Sequence, residues 1–382
     1  MLHTHLPHAT LRQFCCLLVA TIALATQAQK QIASPLQFVN ADSVVIWLSD
    51  PANLSASALN TDKHLRERAL AYEPLRAKSF KMHTKQWDNT SAAWIGQGYP
   101  CLHWTPEPTN AANGIAQAAL LFAHTADSRY TDAIERATFN YLLPLISTPG
   151  ELSFERRIAA QAVLNATGYI YATDAAGLYV NLFINNTTHV KTNTHDFIVD
   201  QITALPYEGR LKVRISGLKK GRTPLTLRIR IPDWATRQNA SCSSYRFCAE
   251  PQPLPTIYVN GRDEQIPVKN GYYVIHRKWN NGDEVYLDFP TDFFRISSTE
   301  ASTKHEPCTA WQRGPIIYGY CTNTAYHTLP DTCHIEATQT LNHFGHPLYT
   351  IELKNNKGEN ETHLLQPIID GATSTCIQCV KQ

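Results

Sequence analysis

Apolar positions recur in two rhythms along this chain, and the change falls near Gly177. Ahead of it, three segments repeat at helical spacing. Ile115, Ala118, Ala119, Phe122 and Ala123 share one face, which predicts a helix over 110–125. Ala126-Asp127-Ser128 interrupts that helix and caps the next. Residues 130–143 carry Ile134, Ala137, Thr138, Tyr141 and Leu142 on one stripe, closed by Pro144, Pro149 and Gly150. Residues 154–166 turn Ile158, Ala162 and Val163 inward and Arg156 and Arg157 outward, and Gly168 stops them. Residues 29–95 show no sustained period apart from a charged helix from His64 to Ala77, and 92–108 read as a loop rich in Gly, Pro, Trp and Tyr.

After Gly177 the period shortens to two, the strand rhythm. Strands are expected over 178–184, 197–204, 210–216, 225–231, 257–260, 272–279 and 284–289. In one of them Leu225, Leu227, Ile229 and Ile231 alternate with Thr226, Arg228 and Arg230, which predicts one buried face and one wet face. Asn280-Asn281-Gly282-Asp283 and Leu218-Lys-Lys-Gly221 read as hairpin turns. Further short strands are expected at 310–311, 316–320, 348–353 and 363–365. The predicted fold class is α+β, mainly β: a partial (α/α) helical-hairpin segment followed by antiparallel β-sandwiches. The organisation expected is a signal peptide (1–28), a poorly defined segment (29–95), helical hairpins (96–173), a sandwich (174–292) and a second, smaller β domain (293–382).

Composition narrows the function classes. Of 382 residues only 17% are charged, which excludes disordered and coiled-coil classes. The net charge of +2 gives no basic footprint for nucleic acid or an anionic membrane. Phe14 to Ala25 is an apolar run of signal length after Arg12, too short to span a bilayer, and Thr26-Gln27-Ala28 places cleavage near Ala28. The expected location is secreted or periplasmic. Eight of the ten cysteines lie beyond that leader; disulfides are permitted there, and Cys242 with Cys248 could close a loop. The lone Cys376-x-x-Cys379 lacks the second ligand pair of a structural zinc site. No context for acyl transfer, dinucleotide binding or phosphate binding occurs.

Several motifs together resemble glycoside hydrolase family 127, the β-L-arabinofuranosidase-like family. They are Leu227-Arg-Ile-Arg-Ile-Pro-Asp-Trp-Ala235, then Val259-Asn260-Gly261, then the run from Gly271-Tyr272 through Trp279 and Gly282-Asp283 to Pro290, then Gln312-Arg-Gly-Pro315 with Tyr318. Upstream, Gly168-Tyr-Ile-Tyr-Ala172 is similar to the family's entry into the sandwich. Asp127-Ser-Arg-Tyr130 with Glu135-Arg136-Ala137 and Asn140 resembles its last barrel hairpin.

The resemblance implies a six-hairpin (α/α) barrel ahead of sandwiches, a zinc ion held by one Glu and three Cys, a cysteine nucleophile and a separate acid/base Glu. This sequence departs from that set. By spacing, Glu107 matches the family's Glu, but Thr109 stands where a ligand Cys belongs, and Ser147 to Phe154 contains no Cys where the paired cysteines should lie. No metal or other cofactor is therefore expected. A twelve-helix barrel needs about 200 residues, more than 29–173 supply.

Glu107 is the one catalytic candidate. Trp94, Tyr99, His103 and Trp104 around it could stack on and hydrogen-bond a sugar; equally, they could form a loop packed over the helix-to-sheet junction. Three readings remain open at this point. The first is a family 127-type protein acting on arabinose-containing plant glycans, impaired or inactive alone. The second is a non-catalytic carbohydrate-binding or interaction sandwich, and the third a truncated enzyme fragment.

Overall fold

The computed structural model describes residues 36–39, 43–44, 108–143, 154–219, 222–238, 245–298, 309–320, 334–341, 347–355 and 357–367. The expected leader, the helix over 64–77 and most of the segment 29–95 lie outside these residues.

The three expected helices are present. Helix α1 spans Pro108–Thr125, α2 spans Ser128–Ala137 and runs on as a π-helical turn over Thr138–Leu142, and α3 spans Phe154–Thr167. Asp127 caps α2, its carboxylate accepting a hydrogen bond from the Arg129 backbone at 3.1 Å. Both α2 and α3 pack against α1.

The rest is mainly β. Among the described residues a six-stranded sheet takes the order β1 (Gln37–Val39), β3 (Tyr171–Asp174), β4 (Gly177–Val180), β8 (Thr223–Arg230), β13 (Tyr272–Trp279), β12 (Val268–Lys269). A seven-stranded sheet runs β11 (Arg262–Asp263), β10 (Ile257–Val259), β14 (Glu284–Asp288), β7 (Arg210–Ser216), β6 (Asp196–Thr203), β5 (Asn186–Lys191), β2 (Ser43–Val44). A third, also seven-stranded, includes β9 (Tyr245–Cys248), β15 (Phe294–Ser298), β16 (Thr309–Arg313) and β17 (Ile316–Tyr320), and ends with β20 (Asn360–Pro367), β19 (Pro347–Lys354) and β18 (Ile335–Leu341). Pairing is antiparallel except between β4 and β8, which run parallel. Alternate residues of the first two sheets, such as Leu227 and Ile229 on β8 and Leu211 and Val213 on β7, belong to one continuous buried cluster that also takes in the helices.

Two expectations need correction. The turns at 218–221 and 280–283 do not close hairpins. β7 and β14 lie in the second sheet, β8 and β13 in the first, so both connections cross from one sheet to the other. Alternating polarity marks a strand with one buried face; it does not say whether the next strand sits beside it or opposite.

The wet face of β8 is also not wet beside α2, where Arg230 is fully buried; four residues earlier Thr226, bonded to His276 on β13, is 5% exposed. The helices cover that face, so the molecule is layered helix, sheet, sheet here. The closest approach is at Gly271, where a Cβ would lie 1.9 Å from the Ser128 hydroxyl at the start of α2. Its φ of +77° also favours glycine.

Candidate functional site

Of the residues singled out for chemistry, Trp94, Tyr99, His103, Trp104 and Glu107 lie outside the described residues. In sequence Glu107 directly precedes α1, and Thr109 is in the first turn of that helix. The donor set does not fit the family's thiolate-rich zinc site, because neither position 109 nor the run Ser147 to Phe154 supplies a cysteine. Among the described residues no group of three His, Cys, Asp or Glu side chains could hold a metal ion. Cys248 is a free thiol on β9, in the third sheet.

What the structure does assemble from the motif residues is a buried charge cluster between α2 and the first sheet. Asp132 and Glu135 are three residues apart and so share a face of α2. Arg230, at the end of β8, donates from Nη1 to Asp132, from Nη2 to Glu135 and from Nε to the Asn181 carbonyl. Its guanidinium also lies 5.0 Å from the Phe183 ring centre. Glu135 accepts a second hydrogen bond from the Trp234 indole at 2.9 Å. One residue along, Arg136 donates to Asp233 at 2.7 Å. The short helix α4 (Asp233–Thr236) begins right after Pro232, so the Ile-Pro-Asp-Trp stretch aims Asp233 and Trp234 at α2.

A neutral network continues the cluster. Tyr272 on β13 donates to the Asn181 side chain at 3.0 Å and lies 3.1 Å from the Thr131 hydroxyl. At the far end of α2, Asn140 donates to the Pro315 carbonyl at 2.8 Å and accepts from the Ile317 backbone at 2.8 Å. That ties the helix to the Arg313-Gly314-Pro315 turn of the third sheet.

Electrostatics follow burial. Asp132 is held well above the usual carboxylate range, first by its removal from water and next by the neighbouring Asp233. Burial works against the charge of Arg230, but Glu135 and Asp132 outweigh it and keep the guanidinium ionised. Burial likewise pushes the Tyr272 phenol well up.

With Arg230, Asp132 and Glu135 at 0%, 4% and 5% exposure, this cluster has no face to offer a substrate. Its chemistry is cohesion: it joins helices to sheet by charge-assisted hydrogen bonds. The sequence named Glu135, Arg136, Asn140, Asp233 and Trp234 only as letters of motifs, and Arg230 also as a solvent-facing position of its strand. A signal for their role was present, since charged residues sit on both sides of the apolar stripe of a helix that has little wet surface. Elsewhere, an open cleft of about 470 Å³ is lined by Arg222, Glu264, His276, Arg277 and Lys278 among others, with Arg277 paired to Glu264 at 3.4 Å.

Residues 177–291 match the family model for the beta-L-arabinofuranosidase GH127 middle domain. A GH127 beta-arabinofuranosidase structure is 22% identical, with a TM-score of 0.62 over 72% of this chain and 48% of its own. A structure described as a glycoside hydrolase is 18% identical, with a TM-score of 0.57 over 71% of this chain and 51% of its own. A GH127 beta-L-arabinofuranosidase from Geobacillus stearothermophilus T6 is 20% identical, with a TM-score of 0.54 over 69% of this chain and 47% of its own. These likenesses establish a shared fold, and the chain spans about half the length of the solved structures it matches. No curated protein matches the sequence. Residues 177–291 thus resemble the GH127 middle domain, and the chain shares the fold of GH127 beta-L-arabinofuranosidase structures over about 70% of its length.

Proposed function

We propose that this is an exported GH127-type protein that engages arabinose-containing glycans and does not cleave them on its own. The observation that carries the glycan class is the match of residues 177–291 to the GH127 middle domain. The absence of turnover is read from the residues: Thr109 stands where the family resemblance asks for a zinc-binding thiolate, and Ser147 to Phe154, where the paired cysteines should lie, contains none. A hydroxyl is a poor zinc ligand and, without an adjacent base, a poor nucleophile. Glu107 is then a carboxylate without the family's partners, able to hydrogen-bond a sugar hydroxyl, and Trp94, Tyr99, His103 and Trp104 are residue types that stack on or hydrogen-bond a sugar. Export is read from the apolar run ending near Ala28. Among the described residues no helix is long and apolar enough to cross a membrane.

The test uses the purified chain. It should release no arabinose from aryl β-L-arabinofuranosides, carry no stoichiometric zinc, and be retarded in native gels cast with arabinan. Arabinose release that disappears in Glu107→Gln would overturn the non-catalytic reading; unretarded migration of the folded chain would overturn the glycan reading.

A further inference from the structure

The open cleft beside β13 lies at the edge of the first sheet. The edge strand β12 is two residues long and pairs with β13 only at Tyr272 and Tyr273, so among the described residues no strand lies beyond β13 from Ile275 to Lys278. The loop between β11 and β12 crosses from the second sheet to the first and forms one wall. At one end the Glu264 amide donates to the Ile257 carbonyl at 3.2 Å; at the other the Pro267 carbonyl accepts from the Val274 amide at 2.9 Å. Ile266 and Pro267 make that wall partly apolar. The charge in the cleft is one-sided: Arg222, Arg277 and Lys278 line it with a single carboxylate, Glu264. Arg277 donates to that carboxylate, and its guanidinium lies 5.4 Å from the Trp279 ring centre. Arg222 and Lys278 are exposed and make no ion pair or hydrogen bond among the described residues. His276 and Lys278 are two apart on β13 and share one face. The Nδ1 atom of His276 is 2.8 Å from the Thr226 hydroxyl, which leaves Nε2 as its open nitrogen.

Two unmatched cations and an imidazole beside an apolar wall suit an anion carried on a compact framework. The cleft, at about 470 Å³, falls within the range of small-molecule sites, about 300–1,000 Å³. Arabinose carries no charge, so a neutral sugar leaves Arg222 and Lys278 unexplained. We propose that this cleft binds a carboxylate-bearing sugar unit, a uronate. Arg222 and Lys278 meet its carboxylate, His276 Nε2 meets a ring or carboxylate oxygen, and Ile266 and Pro267 lie against its C–H face. The choice of a sugar rests on the glycan reading above; the choice of an anion rests on the cleft alone.

The experiment is calorimetric titration of the full chain with trigalacturonate at about 50 mM salt, where screening is modest. Replacing Arg222→Ser and Lys278→Ser together should weaken binding about tenfold or more, through lost charge-assisted hydrogen bonds. Both positions are exposed, so the folded core is untouched. A second variant, Lys354→Ser with Lys357→Ser, removes the same charge from exposed positions on and just after β19 and should bind as the parent does. Equal weakening by the two variants would assign the binding to net charge and overturn the proposal. Binding of inorganic phosphate without binding of the uronate would also overturn it. So would a chain that is retarded by arabinan yet ignores trigalacturonate, a result that spares the glycan reading. A folded chain that ignores both would overturn the glycan reading and this proposal together.

Discussion

Helices α1 and α2 lie side by side, yet they are buried by opposite means. α1 buries a mainly apolar face, His124 and Thr125 at its end apart: Ala118, Leu121 and Phe122 are at most fractionally exposed, and Phe122 sits 5.8 Å from Tyr179 and 6.1 Å from Tyr272 between ring centres. α2 reads Ser-Arg-Tyr-Thr-Asp-Ala-Ile-Glu-Arg-Ala, and every residue of it but Arg129 is buried. α1 is held by area removed from water, a term that tolerates small changes of shape. α2 adds buried ion pairs to its buried Tyr130, Ala133, Ile134 and Ala137, and that term fails abruptly when one partner is lost. A motif shared with an enzyme family can therefore record how layers are joined, with no substrate involved.

Substitutions can break this contrast in order of effect. Arg230→Met takes from Asp132 and Glu135 the cation they share, and should cost about 3–5 kcal/mol in denaturant unfolding. Phe122→Ala removes a packed ring from α1 and should cost about as much, ~3–5 kcal/mol. The two then part company. Replacing Arg230, Asp132 and Glu135 together with Met and Leu should recover most of the loss, because the charges vanish as a set. No polar change can refill the Phe122 cavity. Asn140→Ala strands the Pro315 carbonyl and the Ile317 amide, and should cost about 1–3 kcal/mol while loosening the third sheet, read as faster amide exchange at Ile317. Lys212→Ala removes a half-exposed pair with Glu284 on the open side of the second sheet and should change stability by less than about 1 kcal/mol.

Much of the fold was legible because its signals are local. The switch from helix to strand and the Asp127 cap need only neighbours in sequence, although strand already begins at Tyr171, ahead of the Gly177 that the change of period marks. β5 was not legible, although it alternates buried and exposed residues, because its inward positions are Asn186 and Thr188 as well as Val190. Two of those three count as polar until the Asn186 and Thr188 side chains are seen to bond each other at 2.9 Å inside the sheet. The wet face assigned to β8 failed for a related reason: Arg230 reads as solvent-facing until α2, some hundred residues earlier, supplies its counter-charges. Polarity in sequence reports what a residue needs, and only tertiary structure says whether water or another side chain provides it. The site expected at Glu107, Trp94, Tyr99, His103 and Trp104 rests on the family resemblance and on residue type, with nothing among the described residues bearing on it.

The account turns on Arg230 and Glu135 acting as one unit between sheet and helix. A double-mutant cycle with Arg230→Met, Glu135→Leu and the pair, followed by denaturant unfolding, measures that directly. The account predicts strong coupling, with the double variant losing far less than the two single losses combined, by about 2–3 kcal/mol. Losses that add within about 0.5 kcal/mol would mean the two side chains are independent and that the junction is not held by their charges.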